Sequence, residues 1–210
     1  GTAKDPAGNT VLSYGAAHDA IGRVVTMLYE GKESSYTYDS MSRLVTVDNA
    51  DLPDEGYSYD VMGNRLTSHD VPNTWRYGTN NEVLSYGTVT NAYDAAGNLI
   101  EKRTATGVTR FTYDAHSRLI RVANGADATI ATYGYDLFGR RVWKDTAGQR
   151  RYYHYNADGL VGEYSAAGQE LRTYGYVPNS AWMSSPLFQR VAGVYYWYLQ
   201  GPQGAAVKLI

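Results

Sequence analysis

The chain has 210 residues, 19 Lys+Arg against 21 Asp+Glu, a formal net charge of −2 and no cysteine. That balance supplies no basic stripe for nucleic acid. The missing cysteines exclude disulfides and thiolate metal sites, and no apolar run approaches the ~18 residues of a transmembrane helix. The 21 tyrosines and 22 glycines, against three phenylalanines, suit β-structure with many tight turns better than a helical bundle.

In chain order, Asp5-Pro6-Ala7-Gly8-Asn9 reads as a first turn, and His18-Asp19-Ala20-Ile21-Gly22 as a second with His in place of Tyr. Then the pattern sharpens. Tyr38-Asp39…Arg43-Leu44, Tyr59-Asp60…Asn64-Arg65, Tyr93-Asp94…Asn98-Leu99, Tyr113-Asp114…Arg118-Leu119 and Tyr135-Asp136…Arg140-Arg141 follow about one another at twenty-residue steps. A fixed period means one supersecondary unit copied along the chain. The wide step from Asp60 to Asp94 contains Tyr77-Gly78-Thr79-Asn80-Asn81-Glu82, which reads as a degenerate copy. Weaker copies continue at Tyr155-Asn156-Ala157-Asp158-Gly159 and Tyr174-Gly175-Tyr176.

Each unit reads as a β-hairpin, with alternating residues on both sides of a short polar turn. The aspartate should accept backbone N–H groups two and three residues on, and Gly63, Gly97 and Gly139 should supply a positive φ. Ser42 and Ser117 stand where glycine is expected, so those two turns should be slightly strained. The doublets Tyr36/Tyr38, Tyr57/Tyr59, Tyr133/Tyr135, Tyr153/Tyr155 and Tyr174/Tyr176, with the variant Phe111/Tyr113, should form aromatic ladders across neighbouring hairpins. The predicted fold is all-β: antiparallel hairpins zipped into one long, curved, spiralling sheet of about 18 strands, roughly 85 Å along the hydrogen-bonding direction.

The repeat array is assigned to 1–176. From Val177 two prolines and the loss of alternation mark a loop, followed by a short strand at Leu187–Val191 and an aromatic strand at Tyr195–Leu199. A turn at Gly201-Pro202-Gln203-Gly204 and a last strand from Ala205 complete an atypical terminal segment, 177–210. Both ends read as cut from a longer array, with exposed edges that should favour edge-to-edge pairing of copies.

The repeated aspartates read as turn caps, not as paired acid–base carboxylates. His18, His69, His116 and His154 lack metal-ligand spacing, so neither metal nor cofactor is expected. Arg23, Arg43, Arg65, Arg118 and Arg140 follow the turns and should each pair with a nearby acid or stay solvated. The tyrosines read as a structural ladder. The alternative is an adhesion or carbohydrate-binding surface.

The Tyr-Asp-x-x-Gly-Arg/Asn-x-Leu unit resembles the YD-repeat, or Rhs (rearrangement hotspot), proteins. These include polymorphic bacterial toxins, the C component of insecticidal toxin complexes and the teneurins. Trp182, Pro186-Leu187-Phe188 and Tyr195-Tyr196-Trp197-Tyr198 look like the end of an Rhs core. The family's Asp-His-Leu-Gly-Thr-Pro stretch is matched by Gly201 to Ala206 in one glycine alone. The resemblance implies a hollow β-shell, delivered outside a bacterial cell, that encloses a C-terminal toxin, and in teneurins an adhesion surface. The implied partners are the rest of the shell and its toxin, with a cell-surface glycan or protein as the adhesion alternative. Neither nucleic acid nor membrane insertion is implied. The structural residues carried over are Tyr38, Asp39, Tyr59, Asp60, Gly63, Tyr93, Asp94, Gly97, Tyr113, Asp114, Tyr135, Asp136 and Gly139, with no catalytic residue.

Overall fold

The structure is a computed structural model that describes residues 2–4, 7–71, 75–200 and 206–210. The turns expected at Asp5-Pro6 and Gly201–Gly204 lie outside these residues. Among the described residues the fold is all-β, with 22 strands and no helix. Strands pair antiparallel with their sequence neighbours, as in a run of hairpins.

A first ladder holds β1 (Thr2–Lys4), β2 (Thr10–His18), β3 (Val24–Tyr29), β4 (Lys32–Tyr38), β5 (Leu44–Asp48) and β6 (Glu55–Gly56) in order. A short pair follows, β7 (Ser58–Tyr59) with β8 (Arg65–Thr67). Single backbone bonds flank that pair: the Tyr57 N–H donates to the Val45 carbonyl at 2.8 Å, and the Trp75 N–H to the Leu66 carbonyl at 2.9 Å.

The third ladder has 14 strands. They are β9 (Arg76–Tyr77), β10 (Val83–Tyr86), β11 (Val89–Tyr93), β12 (Leu99–Thr104), β13 (Gly107–Tyr113), β14 (Leu119–Asn124), β15 (Thr129–Tyr135), β16 (Arg141–Thr146), β17 (Gln149–Tyr155), β18 (Leu160–Ser165), β19 (Glu170–Tyr176), β20 (Pro186–Val191), β21 (Val194–Gln200) and β22 (Ala206–Leu209). β9 and β22 are its two ends, so the sheet does not close into a barrel. Compact units span 1–91 and 92–210.

One irregularity recurs. Thr37 pairs with Thr46 and Tyr38 with Leu44, so Val45 is skipped. In the same way Val25, Leu66, Ile120, Val142, Val161 and Leu187 are skipped opposite His18, Tyr59, Tyr113, Tyr135, Tyr155 and Tyr176. Each is a β-bulge: one extra residue that bends the strand and takes backbone groups out of the ladder. The skipped residue is always aliphatic. The "x-Leu" restart after the turn is therefore the signature of a bulge.

The sheet has little conventional core. Among the described residues the buried apolar side chains are Leu12, Val47, Ala123 and Ala131, while Glu163 and Gln189 are buried polar ones. Cohesion must come from backbone ladders and from bonds between neighbouring repeats.

Candidate functional site

The Tyr–Asp turn is a hydrogen-bonded box. In six copies the aspartate N–H donates to the carbonyl four residues on at 2.9–3.0 Å, and the N–H three residues on returns to the aspartate carbonyl at 3.0–3.1 Å. The carboxylate then fills the loop. Asp39 Oδ1 accepts from the N–H groups of Met41 and Arg43, both at 2.9 Å. Asp19, Asp60, Asp94, Asp114 and Asp136 do the same with the second and fourth following residues. The side-chain acceptor thus serves positions two and four, not two and three; the third N–H goes to the main-chain carbonyl.

Backbone shape sets the fourth turn position. Gly63, Gly97 and Gly139 have φ of +89°, +81° and +78°, and Ser42 and Ser117 are forced to +63° and +57°. The two serines take the left-handed conformation, as expected, at the cost that a Cβ imposes there.

The second carboxylate oxygen recruits the basic residue. Asp19, Asp39, Asp114 and Asp136 each hold the arginine four residues on by Nε, at 2.6, 2.7, 2.7 and 2.6 Å. Asn64 and Asn98 replace arginine and bond Oδ2 of Asp60 and Asp94 at 2.9 Å. The arginine therefore pairs with its own turn aspartate, one of the two expected outcomes.

The same guanidinium then reaches the next repeat. It lies over the next tyrosine ring: Arg23 over Tyr38 at 4.7 Å, Arg43 over Tyr59 at 4.8 Å, Arg118 over Tyr135 at 5.1 Å and Arg140 over Tyr155 at 5.2 Å. Arg23, Arg43 and Arg118 also donate through Nη1 to the carbonyls of Asp39, Asp60 and Asp136, at 3.4, 2.8 and 3.2 Å. For Tyr38, Tyr59 and Tyr135 the contact over the ring is a guanidinium, where the sequence pointed to ring-on-ring ladders; Tyr155 has a guanidinium and the Trp182 ring.

The tyrosine hydroxyl closes the link backward. Tyr38, Tyr59, Tyr77, Tyr113, Tyr135, Tyr155 and Tyr176 donate to the carbonyls of Val24, Leu44, Arg65, Leu99, Leu119, Arg141 and Leu160, at 2.7–3.0 Å. In six of these seven cases the accepting residue begins the previous bulge, where the ladder has left groups to be satisfied. A net worth of ~1 kcal/mol per such bond, repeated along the array, is a large share of a thin sheet's cohesion.

Electrostatics follow the geometry. The Arg118 side-chain hydrogen bond holds Asp114 down to about 2, and the Arg23 and Arg43 backbone N–H groups lower Asp19 and Asp39. Asn64 and Asn98 lower Asp60 and Asp94 through their side-chain amides. Burial opposes the ionised Asp136, but the Arg140 N–H and guanidinium outweigh it and the carboxyl stays low. Burial raises Tyr113, Tyr135, Tyr155 and Tyr176, which keeps the donating proton in place.

Tyr93 stands at the end of β11 immediately before the Asp94 box. The degenerate copy keeps the box without its aspartate: the Gly78 N–H donates to the Glu82 carbonyl at 2.9 Å, and the Asn81 N–H to the Gly78 carbonyl at 3.1 Å. A Cβ on Gly78 would fall 2.6 Å from the Glu82 carboxyl carbon. Glu82, at the arginine position, thus folds its carboxylate into the space the aspartate side chain fills elsewhere.

Two further features were hidden in the sequence. Glu163, almost fully buried, accepts from Arg151 at 2.6 Å and from the Tyr174 hydroxyl. Burial, then that bond, pushes Tyr174 up to about 12. Separately, the loop at 177–185 returns over the 156–159 turn: the Trp182 ring lies 6.1 Å from Tyr155, and the Met183 N–H donates to the Asp158 carbonyl at 2.8 Å. Trp182 thus covers a turn that has no arginine of its own. Of the histidines, His116 sits at a turn tip bonded to Asp114, and His154 tilts against Tyr164 at 4.8 Å.

The family profile described as Teneurin YD-shell matches residues 7–156. The chain belongs to the YD-shell family. The YD-shell segment is 30% identical over 178 residues to the tRNA3(Ser)-specific nuclease WapA of Bacillus spizizenii, covering 80% of this chain and 7% of that protein. It is 36% identical over 118 residues to the double-stranded DNA deaminase toxin A of Burkholderia cenocepacia, covering 53% of this chain and 8% of that one. Among solved structures, a chain in the Photorhabdus luminescens Tc holotoxin pore matches with a TM-score of 0.52 at 14% identity, over 95% of this chain and 16% of its own length. That likeness shows the fold. The YD-shell segment therefore spans less than a tenth of these two curated relatives.

Proposed function

We propose that this chain is a non-catalytic run of a YD-repeat shell that encloses a C-terminal toxin for delivery outside a bacterial cell. The array covers 1–176 and an atypical end covers 177–210. Its partners are the remainder of the same shell and the enclosed toxin. The Tyr–Asp residues are rivets: Asp shapes the turn, Arg or Asn carries the link forward, and Tyr carries it back.

The observation behind this reading is the tyrosine-to-carbonyl bond that recurs from one repeat to the one before it. Such bonds tie neighbours into a wall and leave the recurring polar groups spent on one another. The relatives carry nuclease and deaminase names, and the matched region is a small share of each. This is the pattern of a common casing with varied cargo.

Limited proteolysis of the parent protein tests it. The segment following the shell should resist protease until the shell is opened by denaturant, and should then be cleaved at once. Cleavage of that segment at the same rate in the intact protein and in isolation would refute the casing.

A further inference from the structure

The box turn has a further copy that lacks the Tyr–Asp signature. Asn124 stands at its head, at the end of β14. The Asn124 N–H donates to the Ala128 carbonyl at 3.0 Å, and the Asp127 N–H returns to the Asn124 carbonyl at 3.0 Å. Asn124 Oδ1 accepts from the N–H groups of Ala126 and Ala128, at 3.0 and 2.9 Å. Asp127 takes the left-handed position, at φ +63°. The backbone bonds and the Oδ1 bonds of the aspartate-headed boxes are thus all present on an asparagine.

The surroundings suit a charge that the asparagine does not carry. Arg110 donates through Nη1 to the Gly125 carbonyl at 2.6 Å. Arg121 donates to Asp127 Oδ1 at 2.9 Å, to the Asp127 carbonyl at 2.6 Å and to Thr129 Oγ1 at 2.9 Å. Two guanidinium groups therefore grip this turn. Asn124 Nδ2, which stands in place of the second carboxylate oxygen, makes no hydrogen bond among the described residues.

The next residue is Gly125, and Asn124-Gly125 is the one Asn-Gly step in the chain. Lacking a side chain, glycine lets its main-chain nitrogen come close to the preceding side chain. The Gly125 N–H donates to nothing among the described residues, and both residues are exposed to water.

We propose that Asn124 is a site of covalent modification: deamidation through Gly125 converts this turn into an aspartate-headed box like the other six. The Gly125 nitrogen attacks Cγ of Asn124. The N–Cγ bond forms, the Cγ–Nδ2 bond breaks, and the Gly125 amide proton passes through water to Nδ2, which leaves as ammonia. Water then opens the succinimide. Addition at Cγ breaks the new bond and restores the normal main chain, with a carboxylate at position 124. Addition at the main-chain carbonyl carbon gives isoaspartate, whose main chain runs through Cβ and Cγ and is one atom longer. The box ring from residue 124 to Ala128 does not fit that longer chain. The aspartate keeps both Oδ1 bonds, now to an ionised acceptor, which makes each roughly twice as strong. Both products slowly re-form the succinimide, so the one that the fold stabilises accumulates. The proposal stands whether or not the shell encloses a toxin.

The test uses the 210-residue chain, held folded in mildly alkaline buffer beside a sample unfolded in guanidinium. Tryptic peptides are weighed by mass spectrometry, and electron-transfer fragmentation separates aspartate from isoaspartate. In the folded sample the peptide that begins at Val122 should gain about one dalton and take up heavy oxygen from labelled water. The peptides carrying Asn49, Asn98 and Asn156 should stay unchanged. Aspartate should exceed isoaspartate in the folded sample, and isoaspartate should dominate in the unfolded one. Gly125→Ala should slow the gain several-fold. Its Cβ would fall 3.3 Å from Val108 Cβ, so Asn124→Asp supplies a second measurement. In that variant the amides of Ala126 and Ala128 should exchange hydrogen several-fold more slowly. A folded chain left unmodified while the unfolded one reacts would overturn the proposal, because the turn would then shield the site. So would isoaspartate as the main folded product, an undiminished rate in Gly125→Ala, or faster amide exchange in Asn124→Asp.

Discussion

The run from Tyr113 to Tyr155 and the stretch from Ser68 to Asn91 use the same box turn with different results. In the first, strands β13 to β17 are six or seven residues long, and Arg118 and Arg140 each join their own aspartate to the next tyrosine. In the second, β9 has two residues and β10 four, and the aspartate–arginine pair is replaced by Gly78 and Glu82. Among the described residues, the buried side-chain polar atoms without a hydrogen-bond partner are Trp75 Nε1, Glu82 Oε2 and Asn91 Oδ1, all in the second stretch. The backbone box therefore survives loss of the clamp, but polar satisfaction around it does not.

The largest effect that would break the regular run is steric. A Cβ at Gly134 would lie 2.0 Å from Trp143 Nε1, so Gly134→Ala must displace the indole. Chemical denaturation should show a loss of about 2 kcal/mol. Next, Asp114→Ala removes the acceptor for His116, Arg118 and the Arg118 side chain together. The amides of His116 and Arg118 should exchange hydrogen about ten-fold faster, with the boxes at Asp94 and Asp136 less affected. Unchanged exchange would mean that the backbone box alone carries the turn.

Tyr135→Phe deletes a single donor and leaves the Leu119 carbonyl unmet. It should cost about 1 kcal/mol, and Tyr77→Phe in the degenerate stretch provides the matched comparison. In the opposite direction, Ser117→Gly relieves a non-glycine residue at φ +57°. Offset by the extra freedom of glycine in the unfolded chain, the gain should be about 0.5 kcal/mol in the same assay.

Acid should act last. Asp114 titrates at about 2 in the folded chain against an ordinary 3.8, so its contribution is complete above about pH 4 and is lost as pH falls through 2. A melting temperature that is flat above pH 5 and falls below pH 4, with the fall reduced in Asp114→Asn, checks the sign.

Much of this was written locally. Turn, hairpin and period depend on residues within about six positions of one another, so Asp at the head of each box, the positive φ at Ser42 and Ser117, and the all-β fold could be read from spacing alone. The arginine's own aspartate is four residues away and was half-anticipated for that reason. What could not be read is what crosses repeats. The hydroxyl of Tyr59 and the carbonyl of Leu44 are fifteen residues apart and meet only because a bulge at Val45 turns the strand. The Glu163–Tyr174 bond and the return of Trp182 over Tyr155 likewise need strand register.

The same division holds for surfaces. The abundance of tyrosine was visible from composition, but which rings are spent and which are free depends on what lies across the sheet. Guanidinium groups over Tyr38, Tyr59, Tyr135 and Tyr155, and a glycine beneath Phe188, are tertiary facts. The sequence by itself determined a chain of repeated hairpins, because turn chemistry is local. Only the paired sheet decided how those hairpins are joined, because a hydrogen bond between repeats exists only once bulge and register have brought both partners within reach.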